Sequence, residues 1–130
     1  MSGLLGRQMT TRRLALVVGS LAEDRLHAAL SLAAAAAALG REVEIFLHAG
    51  AVAVLRAEVA FDGDAALSAA GVPTIAELLD TALDLGVGIT ACQSGLALTG
   101  IDASRLDPAI RAGGLVDFLG RNADAELVLG

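Results

Sequence analysis

The chain has 130 residues, a formal net charge of −6, a single cysteine and only three aromatic residues, all phenylalanine. Its length is that of one domain, and 55% hydrophobic residues are enough to build a core, which excludes disorder. The acidity opposes phosphate backbones, the scarcity of rings removes base stacking, and one cysteine forms no internal disulfide, so nucleic acid is an unfavourable partner and nothing points to a disulfide-stabilised secreted fold.

Residues 1–12 lack periodicity and are expected to be a mobile tail ahead of one domain over 13–130. Arg13 to Val18 reads as the first strand. Arg12-Arg13 ahead of that run has the outline of a twin-arginine export signal, but the apolar stretch ends at Glu23-Asp24 without a small-residue cleavage site. The expected location is therefore the cytoplasm. Asp24 is a cap or first-turn acid for a helix running to about Leu39, in which Leu26, Leu30, Ala33 and Ala37 recur at helical spacing. Gly40 stops it. The alanine-rich part of this helix is too short to span a bilayer, which takes about 20 apolar residues.

Glu42 to His48 follows as a second strand, with Val43, Ile45 and Leu47 on one face and Phe46 on the other. Strand, helix and strand make a parallel βαβ unit with a right-handed crossover, and the fold class is α/β. A helix is expected from Gly50 to Val59 and an irregular surface loop from Phe61 to Ala70. Thr74 then caps a helix with Glu77 as its capping-box partner. Gly86 ends that helix and leads into a short apolar strand, Val87 to Ala91, which suits a position buried on both faces. Ser94 is the expected N-cap of a short helix ending at Gly100. Asp107-Pro108 marks a turn, Gly113-Gly114 opens a last helix over 115–122, and Glu126 to Leu129 is a terminal strand.

In open parallel sheets, reactive groups gather beyond the carboxyl ends of the strands. That rule selects Gly19 and Ser20 after the first strand, His48 and Gly50 after the second, and Cys92, Gln93, Ser94 and Gly95 after the third. Arg25 and His27, in the opening turn of the first helix, belong to the same edge. A thiol before a helix N-terminus is biased toward the thiolate, although a free cysteine also serves as core filler. The histidines are candidate bases or polar caps, Arg25 a candidate anion contact or a solvated side chain, and Ser20 a candidate ligand donor or a turn residue. Phosphate-loop, dinucleotide and nucleophile-elbow motifs are absent, and the spacing of one cysteine and two histidines suits no metal, so no cofactor is expected. The fourth position of a dithiol motif is Gly95. Chemistry here has to use one thiol with a carried group or an external thiol.

The segment Ile89-Thr90-Ala91-Cys92-Gln93-Ser94-Gly95-Leu96-Ala97-Leu98-Thr99-Gly100-Ile101, followed by Gly113-Gly114-Leu115-Val116-Asp117-Phe118-Leu119 and Ala125-Glu126-Leu127-Val128-Leu129, resembles the DsrE/DsrF-like sulfur-relay family. The likeness is strongest to the branch often labelled peroxiredoxin-like, and it extends over nearly all of Arg13 to Leu129. It implies a three-layer sandwich with a mostly parallel sheet of about five strands in a flavodoxin-like layout, assembled as a trimer or hexamer. It also implies that Cys92 accepts sulfane sulfur as a persulfide and exchanges it with rhodanese-like or TusA-like carrier proteins. That branch commonly carries C-Q-M-S-M-D-L-M-G; Cys92-Gln93 and Gly100 match, whereas Ser94, Gly95, Ala97 and Thr99 differ. Two rivals stand beside the carrier: a small-ligand or assembly module in which Cys92 is incidental, and, more remotely, a peroxide-reducing enzyme.

Overall fold

The computed structural model describes residues 12–130. Five strands, β1 (Leu14–Val18), β2 (Val43–Leu47), β3 (Gly88–Cys92), β4 (Ile110–Gly113) and β5 (Glu126–Leu129), form one sheet in the order β4-β3-β2-β1-β5. Every neighbouring pair is parallel. The helices are α1 (Glu23–Ala38), α2 (Asp64–Ala69), α3 (Ile75–Asp84), α4 (Gln93–Thr99) and α5 (Leu115–Arg121), with 3-10 segments at Ala49–Leu55 and Ala103–Arg105. Of the expected tail, only Arg12 lies within the described residues, and its carbonyl accepts a hydrogen bond from Arg41 Nε at 2.8 Å. No helix among the described residues is long and apolar enough to cross a membrane.

The path of the chain assigns the helices to faces. From β1 to β4 the chain steps in one direction across the sheet, then returns to place β5 on the other side of β1. Right-handed crossovers therefore put α1, α3 and α4 on one face and α5 on the opposite face. Strand alternation agrees. Leu14, Leu16, Val18, Val43, Ile45, Leu47, Ile89 and Ala91 share the first face and are buried. Phe46, Glu44 and Thr90 share the second, where Phe118 of α5 packs on Phe46 with ring centroids 5.3 Å apart and Arg121 bonds to Glu44 and Thr90.

Helix α1 buries Leu26, Ala29, Leu30, Ala33, Ala34 and Ala36, so the alanine-rich sequence serves close approach to the sheet and to α3. Its N-cap is Ala22, which makes Asp24 a first-turn acid and not a cap. Helix α3 starts as its sequence dictates: Thr74 Oγ1 accepts the Glu77 N–H at 3.2 Å and Glu77 Oε1 accepts the Thr74 N–H at 3.0 Å. Replacing Thr74 by alanine is expected to cost about 1 kcal/mol, read as a lower urea midpoint at unchanged slope.

Four expectations need correction. The run expected as a helix from Gly50 to Val59 is the shorter 3-10 segment Ala49–Leu55, which puts Ala51, Val52 and Val54 into the core. The expected loop from Phe61 to Ala70 contains α2, whose start is organised by side chains: Asp64 Oδ2 accepts the Phe61 N–H, and Glu23 of α1 accepts the Gly63 N–H, both at 2.9 Å. β4 falls where the sequence signals only the turn at Asp107-Pro108, because Ile110-Arg111-Ala112-Gly113 is short, carries a charged residue and lies at a sheet edge. The N-cap of α4 is Cys92 and not Ser94, which belongs to the first turn.

Candidate functional site

The strand register brings Cys92 and His48 together. Phe46 pairs with Thr90 and Leu47 with Ala91, so the next residues, His48 and Cys92, leave neighbouring strands side by side. By alternation both follow the face of Phe46 and Thr90, and the His48 ring lies 6.2 Å from that of Phe46. On the other flank, Cys92 pairs with Gly113, directly ahead of the N-cap Gly114 of α5. His48 is exposed, whereas Cys92 is 8% exposed.

The electrostatics around the sulfur oppose one another. Burial pushes the thiol up, but the backbone N–H groups of Ala49, Gly95 and Ser94, joined by the Ser94 hydroxyl, favour the anion and together outweigh it. The net result is a Cys92 pKa below the ordinary thiol value. Gln93 is exposed at the first position of α4. Gly95 is buried where that helix meets the 3-10 segment: a Cβ there would overlap the Ala49 carbonyl oxygen and lie 2.6 Å from Val52 Cγ2. The two segments are tied again at their far ends by Arg56 Nη2, which donates to the Thr99 carbonyl at 2.9 Å.

The other sequence candidates lie elsewhere. Gly19 and Ser20 follow β1, one strand beyond β2, and Ser20 Oγ accepts the Ala22 N–H at 3.0 Å, the bond of a turn ahead of α1. Arg25 lines an apolar groove of about 300 Å³ between α1 and β5, together with Leu16, Leu32 and Val128. That groove does not include Cys92. His27 Nε2 donates to the Pro73 carbonyl at 2.9 Å, with Ser31 Oγ 3.5 Å from Nδ1, so His27 fastens α1 to the entry of α3. Among the described residues no cluster of three or more His, Cys, Asp or Glu side chains is placed to hold a metal ion.

Ala49 carries no signal in the sequence. It adopts φ +49°, whereas Gly50, the residue type that takes such a conformation at no steric cost, is not in the left-handed region. No property of an alanine side chain could have signalled this.

Comparison with known proteins joins this geometry to a family. The family model described as DsrE/DsrF-like matches residues 13–129. The chain belongs to the DsrE/DsrF-like family. In fold it is similar to the ychN protein of E. coli, known from a crystal structure, with a TM-score of 0.72 and 21% sequence identity over 92% of this chain and 98% of that one. No curated protein matches the chain. The five-stranded all-parallel sheet is the setting of that shared fold in this chain, and the thiol stands at the end of its strand β3.

Proposed function

We propose that this DsrE/DsrF-like protein is a sulfur carrier that holds sulfane sulfur as a persulfide on Cys92 and passes it to a partner protein. The observation that carries the reading is the placement of the chain's one thiol at the carboxyl end of a central parallel strand, among backbone N–H groups that favour its anion. The thiolate attacks the outer sulfur of a donor persulfide, the new bond forms between Cys92 Sγ and that sulfur, and the donor leaves as its thiol. No electrons are gained or lost overall, so neither a resolving cysteine nor an oxidant is required. Ser94 and the local N–H groups stabilise the charged sulfur, Gln93 and Gly95 shape the turn that holds it, and His48 assists proton movement at the mouth. Gly19, Ser20 and Arg25 have no direct part in this reading.

Rhodanese-like or TusA-like carriers are the matching donors and acceptors, in the cytoplasm, where persulfide exchange meets reduced thiols. Assembly into a trimer or hexamer draws support from the face that carries α5. There Val116 is 89% and Leu129 78% exposed, with Leu115, Leu119 and Leu127 beside them, an apolar surface that water leaves unsatisfied. The test is mass spectrometry after incubation with a sulfane donor. A gain of one sulfur that a reducing thiol removes is the expected result; an unchanged mass under conditions that load a known carrier rejects the proposal.

A second reading, a ligand-binding or assembly module with Cys92 as filler, draws on the low exposure of the thiol and on the apolar groove beside α1. Inertness of Cys92 toward alkylating reagents in the folded chain would favour it.

A further inference from the structure

We infer that Arg111 selects the sulfur donor, by holding an anionic group of the donor beside the outer sulfur that Cys92 attacks. This rests on Cys92 as the sulfur-accepting group. The donor class that follows is a persulfide with a carboxylate close to its sulfur, whether a free small-thiol derivative or a residue presented by a carrier protein.

The strand register supplies the geometry. Cys92 pairs with Gly113 and Thr90 with Arg111, so Arg111 lies on the same face of the sheet as Cys92, one strand over and two positions back. Strand spacing and rise put the two backbone positions about 8 Å apart, a gap that an arginine side chain and a bound donor span together. No side chain of residue 113 stands between them, because it is glycine; a Cβ there would lie 3.4 Å from Thr90 Cγ2, on the face that Arg111 and Cys92 share. Arg111 is exposed, and among the described residues no carboxylate lies within ion-pair distance of it. Arg121, which also reaches this face, is by contrast neutralised by Glu44 and Asp117, each at 3.1 Å.

Charge is otherwise missing from the edge that carries the sulfur. Charged residues make up 18% of the chain, yet the stretches that leave β1, β2, β3 and β4, residues 19–22, 48–55, 93–101 and 114–116, contain no Asp, Glu, Lys or Arg. The ion pairs Arg13–Glu42 and Arg41–Glu126 lie at the opposite, amino ends of the strands. An anionic donor at Cys92 therefore meets one unpaired cation, on a chain whose net charge of −6 otherwise repels it. The bond changes are those of the persulfide exchange itself; the guanidinium orients the donor and takes no proton or electron.

The experiment is alkylation of reduced Cys92 in the full chain by iodoacetate and by iodoacetamide, which deliver nearly the same group with and without a carboxylate. The readout is the ratio of the two rates, in which any change in the ionisation of the thiol cancels. Arg111→Gln is expected to lower the iodoacetate-to-iodoacetamide ratio about threefold, and Arg111→Lys to keep most of it. Salt at about 0.5 M should bring the wild-type ratio down toward that of Arg111→Gln. A folded Arg111→Gln chain, checked by circular dichroism, with the wild-type ratio overturns the inference, since an arginine that only guards an edge strand leaves both reagents alike. If that variant does not fold, a wild-type ratio indifferent to salt overturns it and a falling one supports it. Loading is then compared between the persulfides of N-acetylcysteine and of its uncharged amide, and from a persulfidated rhodanese-like carrier. A preference for the carboxylate that Arg111→Gln abolishes marks a small donor, slower loading of Arg111→Gln from the carrier alone marks a protein one, and equal loading of both chains by every donor overturns the inference. No uptake from any donor rejects the carrier reading of Cys92, on which the alkylation ratio does not depend.

Discussion

Cys92→Ser is expected to take up no sulfur from a sulfane donor under conditions in which the wild-type chain loads. The loss should be complete, because the chain has no second cysteine to receive the label and a serine hydroxyl is not ionised near neutral pH. The fold should survive: serine is smaller than cysteine, and donors suited to an oxygen already surround the position. Loading by the wild type should also depend on pH in a defined sense. The attacking species is the thiolate, and the Cys92 pKa is lowered, so the rate rises with pH and levels off below the range in which an ordinary thiol ionises. It falls on the acid side as the sulfur becomes protonated. Mass spectrometry of both chains across a pH series measures this. Label retained in Cys92→Ser would place the acceptor away from the thiol, and a plateau reached only in the ordinary thiol range would contradict the cradle.

The largest expected effect on stability belongs to Phe118→Ala. Phe118 is fully buried, tilted 49° against the Phe46 ring, and among the described residues it is the one buried side chain of α5. Its removal deletes the ring that holds the helix on the sheet and leaves a cavity over Phe46, a loss of about 3–5 kcal/mol. Total stabilities of such domains are about 5–15 kcal/mol, so the variant should unfold at a markedly lower urea concentration. Arg121 remains as a second fastening: its guanidinium meets Glu44 and Asp117 at 3.1 Å, and a Cβ at Gly88 would overlap the Glu44 carboxylate, so glycine there leaves room for the pair. These ion pairs are half-exposed, and they cannot replace the ring. A midpoint within error of the wild type would mean that α5 is not held by Phe118.

The sequence made the scaffold legible where local chemistry and burial agree. The alternating apolar residues of β1 and β2, the alanine stripe of α1, the Thr74-Glu77 box and the isolated run before Cys92 each carry their own signal, because each buries a face whose period is written in the residues. The resemblance carried by the cysteine segment and the chain's end agrees with the family model that matches residues 13–129. β4 and α2 carried no such signal. The first is an edge strand with little to bury, and the second is organised by Asp64 and by a carboxylate from a distant helix.

For the site, the residues alone place a single thiol at the end of a buried strand and require that any chemistry there work without a second cysteine. Which groups meet that thiol was decided by the tertiary structure. Register between β2 and β3 set His48 beside Cys92, whereas Ser20 is taken up by the turn ahead of α1, His27 by the Pro73 carbonyl and Arg25 by the groove beside α1. Contact between segments more than 40 residues apart placed the peptide of Ala49 against Gly95, a conformation that no residue type announces. The physical reason is the same in both cases: strand ends inherit their neighbours from the hydrogen-bonded ladder, and a backbone N–H has no side-chain identity by which a sequence could declare it.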